Sequence, residues 1–149
     1  MRNFHALLAI AFLMLFSCRK SENQAEKDDE LIRRYLAENN LEAIRTASGL
    51  YYWIQEQGNG PYPTISSRVR VVYKGYLLDG TVFDETDPAG LEFEMAGLIR
   101  GWQEGLTFFR EGGRGKLFVP SHLGYGAQQV GNIPPNSVLI FDIFLLKVR

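Results

Sequence analysis

An alternating stretch followed by a tight-turn dipeptide constrains the fold of this chain most. Over residues 69–74 the side chains of Val69, Val71 and Tyr73 alternate with their neighbours, which is the period of a strand with one buried face. Asp79-Gly80 then predicts a hairpin turn that returns the chain as a second, antiparallel strand. The chain must therefore build at least one antiparallel sheet with a buried face.

Further β-favouring runs are separated by loops, and they predict strands at residues 50–55, 116–119 and 138–147. Between them, Trp102, Leu106 and Phe109 fall on one face of a short helix, which Gly112-Gly113 is expected to end. Short strands joined by turns around one helix predict an α+β domain with a curved antiparallel sheet.

Length and composition narrow the class of protein. A chain of 149 residues predicts one domain with a short appendage, because two domains would each be too small to bury an adequate core. The 46% of hydrophobic and 13% of aromatic residues exclude a disordered chain, and a net charge of -1 gives no footprint of a nucleic-acid binder. Any partner is expected to be recognised by shape and apolar contact.

The first residues have the pattern of an export signal. Arg2 precedes the apolar run Leu7–Phe16, which is too short to span a bilayer but suits a secretory signal peptide. The run leads to Cys18, the only cysteine, in a sequence that resembles a bacterial lipoprotein box. We expect a signal peptide at residues 1–17, a lipid anchor on Cys18 and a location in the bacterial cell envelope, at the outer membrane or the periplasmic face. An ordinary signal peptide, cut near a small residue, is the alternative.

A change of pattern divides the rest of the chain. Residues 18–30 are charged with almost nothing apolar, which predicts a tether. Residues 31–48 are expected to form an N-terminal helical segment, with a helix that ends near Asn39-Asn40, since Leu31, Ile32 and Leu36 recur at helical spacing. It would dock on the domain or stand as a stalk. The domain itself is expected over residues 49–149.

Familiar catalytic patterns are poorly supported. His122 is the only histidine beyond the signal segment, and it is expected in a surface loop, so a serine hydrolase or a metal site is disfavoured. The glycines at 112–116 do not form a phosphate loop, because Leu117 stands where Ser or Thr is needed. We expect no metal and no cofactor.

Five ordered blocks of aromatic residues and glycines remain, and they lie at residues 71–84, 97–106 with Phe93 before them, 120–126, 133–136 and 139–142. In these blocks the sequence resembles the FKBP-type peptidyl-prolyl cis-trans isomerases. The resemblance implies a half-open antiparallel β-sheet wrapped around a short α-helix, here with an N-terminal helical extension. It also implies an enzyme, or rotamase, that accelerates rotation about X-Pro bonds.

Carried over residue by residue, the resemblance implies two groups of site residues. The catalytic group is Tyr73, Asp84, Ile99, Trp102 and Tyr125; the substrate-binding group is Phe83, Phe93, Leu98, Ile133 and Phe141. Trp102 would form the pocket floor, and Asp84 would orient polar groups at the rim. The Ile99 N–H and the Tyr125 hydroxyl would each hydrogen-bond a substrate carbonyl.

The implied partners are proline-containing unfolded or nascent exported polypeptides, a membrane reached through the lipid anchor, and the macrolide inhibitors of the family. A monomer that binds no nucleic acid is expected. Leu91 departs from the pattern, because many relatives carry an aromatic residue there. It keeps one alternative open, a chaperone or binding module on the same fold with weak or no isomerase activity. A purely structural lipoprotein is a third interpretation, which a pocket filled by the protein's own side chains would support.

Overall fold

A computed structural model describes residues 23–149 of the chain. Helix α1 occupies residues 23–38, and a seven-stranded sheet follows it. The strands are β1 (Ile44–Arg45), β2 (Tyr51–Glu56), β3 (Arg68–Tyr76), β4 (Val82–Glu85), β5 (Leu91–Glu94), β6 (Arg114–Val119) and β7 (Leu139–Val148). All pairs are antiparallel in the order β1-β2-β6-β7-β3-β4, and β5 also pairs with β3. The predicted α+β class is confirmed.

The alternating stretch forms β3 as predicted. Val69 and Val71 are fully buried, and Tyr73 is 9% exposed. The Asp79-Gly80 turn is closed by the Gly80 N–H, which donates to the carbonyl of Leu77 at 2.9 Å. Gly80 has a φ of 87°, a conformation that a residue with a Cβ rarely adopts. The turn therefore sets the register that carries β4 back along β3.

Helix α2 (Arg100–Gly105) lies against the sheet because two of its residues have no side chain. A Cβ on Gly101 would lie 2.5 Å from Cγ1 of Val119, and one on Gly105 would lie 2.6 Å from Cδ2 of Leu117. The helix is shorter than the expected end at Gly112-Gly113, because a 3₁₀ turn over Leu106–Phe108 follows it. The close approach brings Trp102 into the core.

Helix α1 docks on the domain through a second apolar cluster. Ile32 and Leu36 are buried, and they belong to the cluster of Tyr51, Phe118 and Ile140 on the sheet. Of the two roles considered for this segment, docking is the one observed. The sheet is thus covered by α2 on one side and by α1 on part of the other.

The predicted tether at residues 18–30 is wrong over residues 23–30, which are helical. The stretch is charged, but Asp28, Ile32 and Leu36 recur every four residues and so share one face of the helix. That face is buried. Within the segment 31–48, α1 ends at residue 38, next to the expected end near Asn39-Asn40, and β1 then pairs with β2.

The predicted signal peptide at residues 1–17 and the lipid anchor at Cys18 lie outside the described residues. Within residues 23–149, no helix combines the length and the apolar character that crossing a membrane requires.

Candidate active site

A cavity of about 300 Å³ opens between α2, the β3–β4 hairpin and the loop before β7. Eight of the ten predicted site residues line this cavity. Gly97, for which no role was predicted, lines it as well. The lining residues are Tyr73, Asp84, Phe93, Gly97, Leu98, Ile99, Trp102, Tyr125 and Phe141. Residues from six separate segments of the chain therefore converge on one concave site, as binding sites commonly do.

Trp102 forms the floor of this cavity. It is 4% exposed, and three rings meet it edge to face: Tyr73 at 5.0 Å, Phe141 at 5.2 Å and Phe93 at 5.9 Å between ring centroids. Edge-to-face pairs of this kind stabilise one another by about 0.5–1.5 kcal/mol each. Among the described residues, no partner accepts a hydrogen bond from the buried indole Nε1. The rings form a rigid apolar wall before any ligand arrives.

A hydrogen bond ties the rim of the cavity to its wall. The Tyr73 hydroxyl donates to Oδ2 of Asp84 at 2.5 Å, joining β3 to β4. Burial, the hydrogen bond and the charge of Asp84 raise the pKa of Tyr73 well above its usual value of 10.0, so the phenol keeps its donor proton into the alkaline range. The tie holds the carboxylate of Asp84 at the mouth of the cavity.

Ile99 supplies the backbone at the other side of the mouth. It is the residue before α2, and its carbonyl accepts from the N–H groups of Trp102 and Gln103 at 3.0 Å each. No hydrogen bond between described residues uses the Ile99 N–H. This N–H is therefore available to a substrate carbonyl, as the resemblance implies.

Gln103 fixes the loop that carries Leu98 and Ile99, and sequence reasoning missed it. Its Nε2 donates to the carbonyls of Ala96 and Leu98, both at 3.0 Å. The residue lies inside a recognised block, but nothing in a sequence shows which carbonyls a side-chain amide will reach. The loop at the cavity mouth is thus held by two hydrogen bonds from α2.

Tyr125 lies on the opposite lip and is 38% exposed. It follows a 3₁₀ turn at Ser121–Leu123, and Gly126 after it has a φ of 60°. The position places an aromatic ring and a hydroxyl at the edge of the cavity, where water still reaches them.

Two predicted substrate-binding residues do not line the cavity. Phe83 packs edge to face against Phe141, with ring centroids 5.6 Å apart, and it occupies the space left by the missing side chain of Gly75. Ile133 is 5% exposed and packs in the main core. Ile133 belongs to the core cluster that contains Tyr73, Trp102 and Phe141, and Phe83 packs against that cluster.

The remaining residues singled out from the sequence lie away from the cavity. Leu91 is 51% exposed on β5 and does not line it. His122 is exposed, as expected, although it lies in the 3₁₀ turn, and its Nε2 donates to the carbonyl of Ser48 at 2.8 Å.

Known proteins share this sequence and this geometry. The family model described as FKBP-type peptidyl-prolyl cis-trans isomerase matches residues 60–146. The sequence is 41% identical over 131 residues to the FKBP-type peptidyl-prolyl cis-trans isomerase FkpA of Escherichia coli, covering 87% of this chain and 47% of that protein. The chain spans less than half the length of this relative.

Solved structures agree. The crystal structure of FkpA from Escherichia coli superposes with a TM-score of 0.74 at 35% identity, covering 100% of this chain and 73% of that one. A peptidyl-prolyl cis-trans isomerase from Pseudomonas syringae superposes with a TM-score of 0.71 at 30% identity, covering 86% and 95%. The fold is therefore that of a prolyl isomerase domain. The chain belongs to the FKBP-type peptidyl-prolyl cis-trans isomerase family.

Proposed function

We propose that this chain catalyses cis-trans isomerisation of X-Pro bonds in unfolded or nascent exported polypeptides. The observation that carries the proposal is the cavity above Trp102, which is walled by three aromatic rings and whose lining includes the polar side chains of Asp84 and Tyr125. A proline ring presents hydrocarbon to such a wall. Neither a nucleophile nor a metal is needed, since no covalent bond breaks.

The barrier to be lowered comes from amide resonance. Rotation about the C–N bond costs about 18–20 kcal/mol, and an uncatalysed X-Pro bond takes tens to hundreds of seconds. The twisted transition state has lost the charge separation of the planar amide. An apolar cavity, which solvates the planar dipole poorly, therefore disfavours the ground state relative to the transition state.

Polar groups at the rim hold the peptide on both sides of the rotating bond. The Ile99 N–H, which no hydrogen bond between described residues uses, and the Tyr125 hydroxyl would donate to flanking carbonyls, and Tyr73 holds Asp84. Holding the flanks in the correct orientation lowers the entropic part of the barrier. Rotation is then confined to the one bond above Trp102.

A refolding experiment tests this function. The full chain, added to a reduced, unfolded protein whose slow refolding phase is limited by a proline bond, should accelerate that phase in proportion to enzyme concentration. It should leave the fast phase unchanged. A slow phase with the uncatalysed rate at every enzyme concentration contradicts the proposal.

A holding function on the same fold is the second candidate. A second surface cavity is lined by Tyr52, Tyr62, Phe108 and Ile44, and Ile44 and Tyr62 are 60% and 53% exposed. Exposed apolar surface of this kind can bind unfolded chains. The holding function is favoured if the chain suppresses the aggregation of a proline-free client protein but does not accelerate the proline-limited slow refolding phase.

We further propose that Cys18 is lipidated, which would anchor the chain to an envelope membrane, and that the chain acts as a monomer. The position of the only cysteine directly after an apolar run supports the anchor. Incorporation of a labelled fatty acid, which should be lost in Cys18→Ala, tests the lipid anchor. Light scattering of the purified chain tests whether it is a monomer. Macrolide binding is proposed at the Trp102 cavity. Quenching of tryptophan fluorescence on titration with a macrolide measures it in a Trp53→Leu variant, in which Trp102 is the only tryptophan.

A further inference from the structure

One carboxylate of the N-terminal helix α1 is buried. This helix lies far in sequence from the residues that line the cavity. Asp28 of α1 is fully buried, and it is the only buried charged residue in the described part of the chain. Burying an ionised carboxylate is costly unless hydrogen bonds compensate for the lost water. A carboxylate buried in this way requires strong hydrogen-bond donors close to it in space.

Those partners lie on the turn that leads to the cavity. Oδ2 of Asp28 accepts from the backbone N–H of Ser121 at 2.8 Å and from its hydroxyl at 2.5 Å. Oδ1 accepts from Nε2 of Gln24 at 2.8 Å. Both donors of one residue therefore converge on a single oxygen, and such bonds to a charged acceptor are stronger than bonds between neutral groups.

Ser121 passes this constraint to the lip of the cavity. Its carbonyl accepts from the N–H of Gly124 at 3.0 Å and from the N–H of Gly126 at 2.8 Å. These two glycines flank Tyr125. The backbone on both sides of Tyr125 is thus bonded to the residue that Asp28 holds.

We infer that Asp28 is a positioning residue that acts through Ser121 to hold Tyr125 at the cavity lip. The inference rests on the proposed isomerase function, because Tyr125 is a site residue only within it. Helix α1 is then a working part of the isomerase domain, and its removal impairs catalysis as well as stability.

The neighbouring residue Asp29 provides a matched control. It also joins α1 to the rest of the domain, accepting from the Tyr51 hydroxyl at 2.9 Å and from Nε of Arg45 at 2.7 Å. It makes no hydrogen bond to Ser121 or to the turn around Tyr125. Asp29→Ala therefore loosens the helix without releasing the turn.

A kinetic cycle on the full chain separates positioning from stability. Asp28→Ala should lower kcat/KM for a proline peptide by about tenfold in the wild-type background but by less than about twofold in a Tyr125→Phe background. Asp29→Ala should stay within about twofold of the wild type in both backgrounds. Equal losses from Asp28→Ala in the two backgrounds, or a Tyr125→Phe variant as active as the wild type, overturn the inference.

Two further variants keep the test decisive if Asp28→Ala does not fold. Asp28→Asn keeps an oxygen that can accept both Ser121 donors, so it should restore most of the activity. Ser121→Ala removes only the hydroxyl, so it should give a smaller loss that also disappears in the Tyr125→Phe background. A Ser121→Ala loss that persists there counts against the inference.

Hydrogen exchange tests the same contact without reference to activity. The amides of Gly124 and Gly126 should exchange at least about tenfold faster in Asp28→Ala, or in Ser121→Ala, than in Asp29→Ala. Unchanged exchange at these amides overturns the inference even if the enzyme is active. A wild-type chain without isomerase activity refutes the proposed function instead, and the exchange rates still decide whether Asp28 holds the turn.

Discussion

The hydroxyl of Tyr73 lies 2.5 Å from Oδ2 of Asp84, so one hydrogen bond links the wall of the cavity to its rim. Tyr73 also meets Trp102 edge to face at 5.0 Å. One side chain therefore fixes both the apolar floor and the carboxylate at the mouth. Changes at Tyr73 should affect catalysis and stability together.

Replacing Tyr73 by Phe removes this link while it keeps the ring. We expect the free energy of unfolding to fall by about 1.5 kcal/mol, since the acceptor is charged. We expect kcat/KM to fall several-fold because Asp84 is no longer held, as measured in a peptide isomerisation assay. Tyr76→Phe is the control. It removes a phenol that lies away from the cavity and donates to Oδ1 of Asp142 at 3.0 Å. Equal kinetic losses in the two variants would argue against a role for Asp84 positioning.

Stability should decline at high pH. Burial first, and then Asp84, raise the pKa of Tyr73 in the folded protein, while the unfolded chain ionises near its usual value of 10.0. Burial and Asp142 raise the pKa of Tyr76 in the same way. Their contribution to stability is complete below pH 10 and is lost as pH rises from there toward the folded pKa.

Urea denaturation between pH 9 and about 11 measures this loss, which is at most about 1.4 kcal/mol per pH unit for each phenol. Tyr73→Phe should give a shallower decline than the wild type, because one of the phenols with a raised pKa is gone while Tyr51 and Tyr76 remain. A slope identical to that of the wild type would show that Tyr73 does not carry the effect.

Gln103 should control substrate affinity through the loop that it holds. Gln103→Ala removes the donors to the carbonyls of Ala96 and Leu98, and the N–H of Ile99 then loses its fixed direction. We expect KM to rise about fivefold to tenfold, the equivalent of about 1 kcal/mol. Glu104→Gln is the matched control, since its side chain instead accepts from the Ser48 hydroxyl at 2.6 Å. A KM unchanged in Gln103→Ala contradicts the assignment.

The approach of α2 to the sheet should be intolerant of added volume at Gly105. An alanine Cβ there would lie 2.6 Å from Cδ2 of Leu117, so Gly105→Ala should lower the free energy of unfolding by about 1–3 kcal/mol. Gly97→Ala is the control for stability, because a Cβ at Gly97 meets no atom within 4 Å. Chemical denaturation compares the two. Equal stabilities would mean that α2 has room to move.

The sequence predicted the elements whose signal is local. The alternation at Val69, Val71 and Tyr73 and the turn at Asp79-Gly80 both depend on residues close in the chain, and both appear as predicted. The cavity was predicted only through resemblance, because its lining comes from segments far apart in sequence. Composition and periodicity gave no means of joining them.

The errors share a physical cause. Asp28 was assigned to a tether because the stretch around it is charged with almost nothing apolar, whereas hydrogen bonds from Gln24 and from Ser121, 93 positions away, make its burial favourable. Phe83 and Ile133 are apolar in the correct blocks, but they pack against Phe141 and in the main core and are not among the residues that line the cavity. Long-range partners of this kind leave no local trace in the sequence.

The most direct test of the central claim compares the two tryptophans of the chain. Trp102 forms the floor of the cavity, whereas Trp53 packs beside the cluster under α1. The exchange rate of a proline peptide, measured by NMR with the full chain, should rise in proportion to enzyme concentration. Trp102→Leu should lower kcat/KM by about tenfold or more, while Trp53→Leu should remain within about twofold of the wild type. A folded wild-type chain that leaves the exchange rate unchanged, or a Trp102→Leu variant as active as the wild type, would contradict the account.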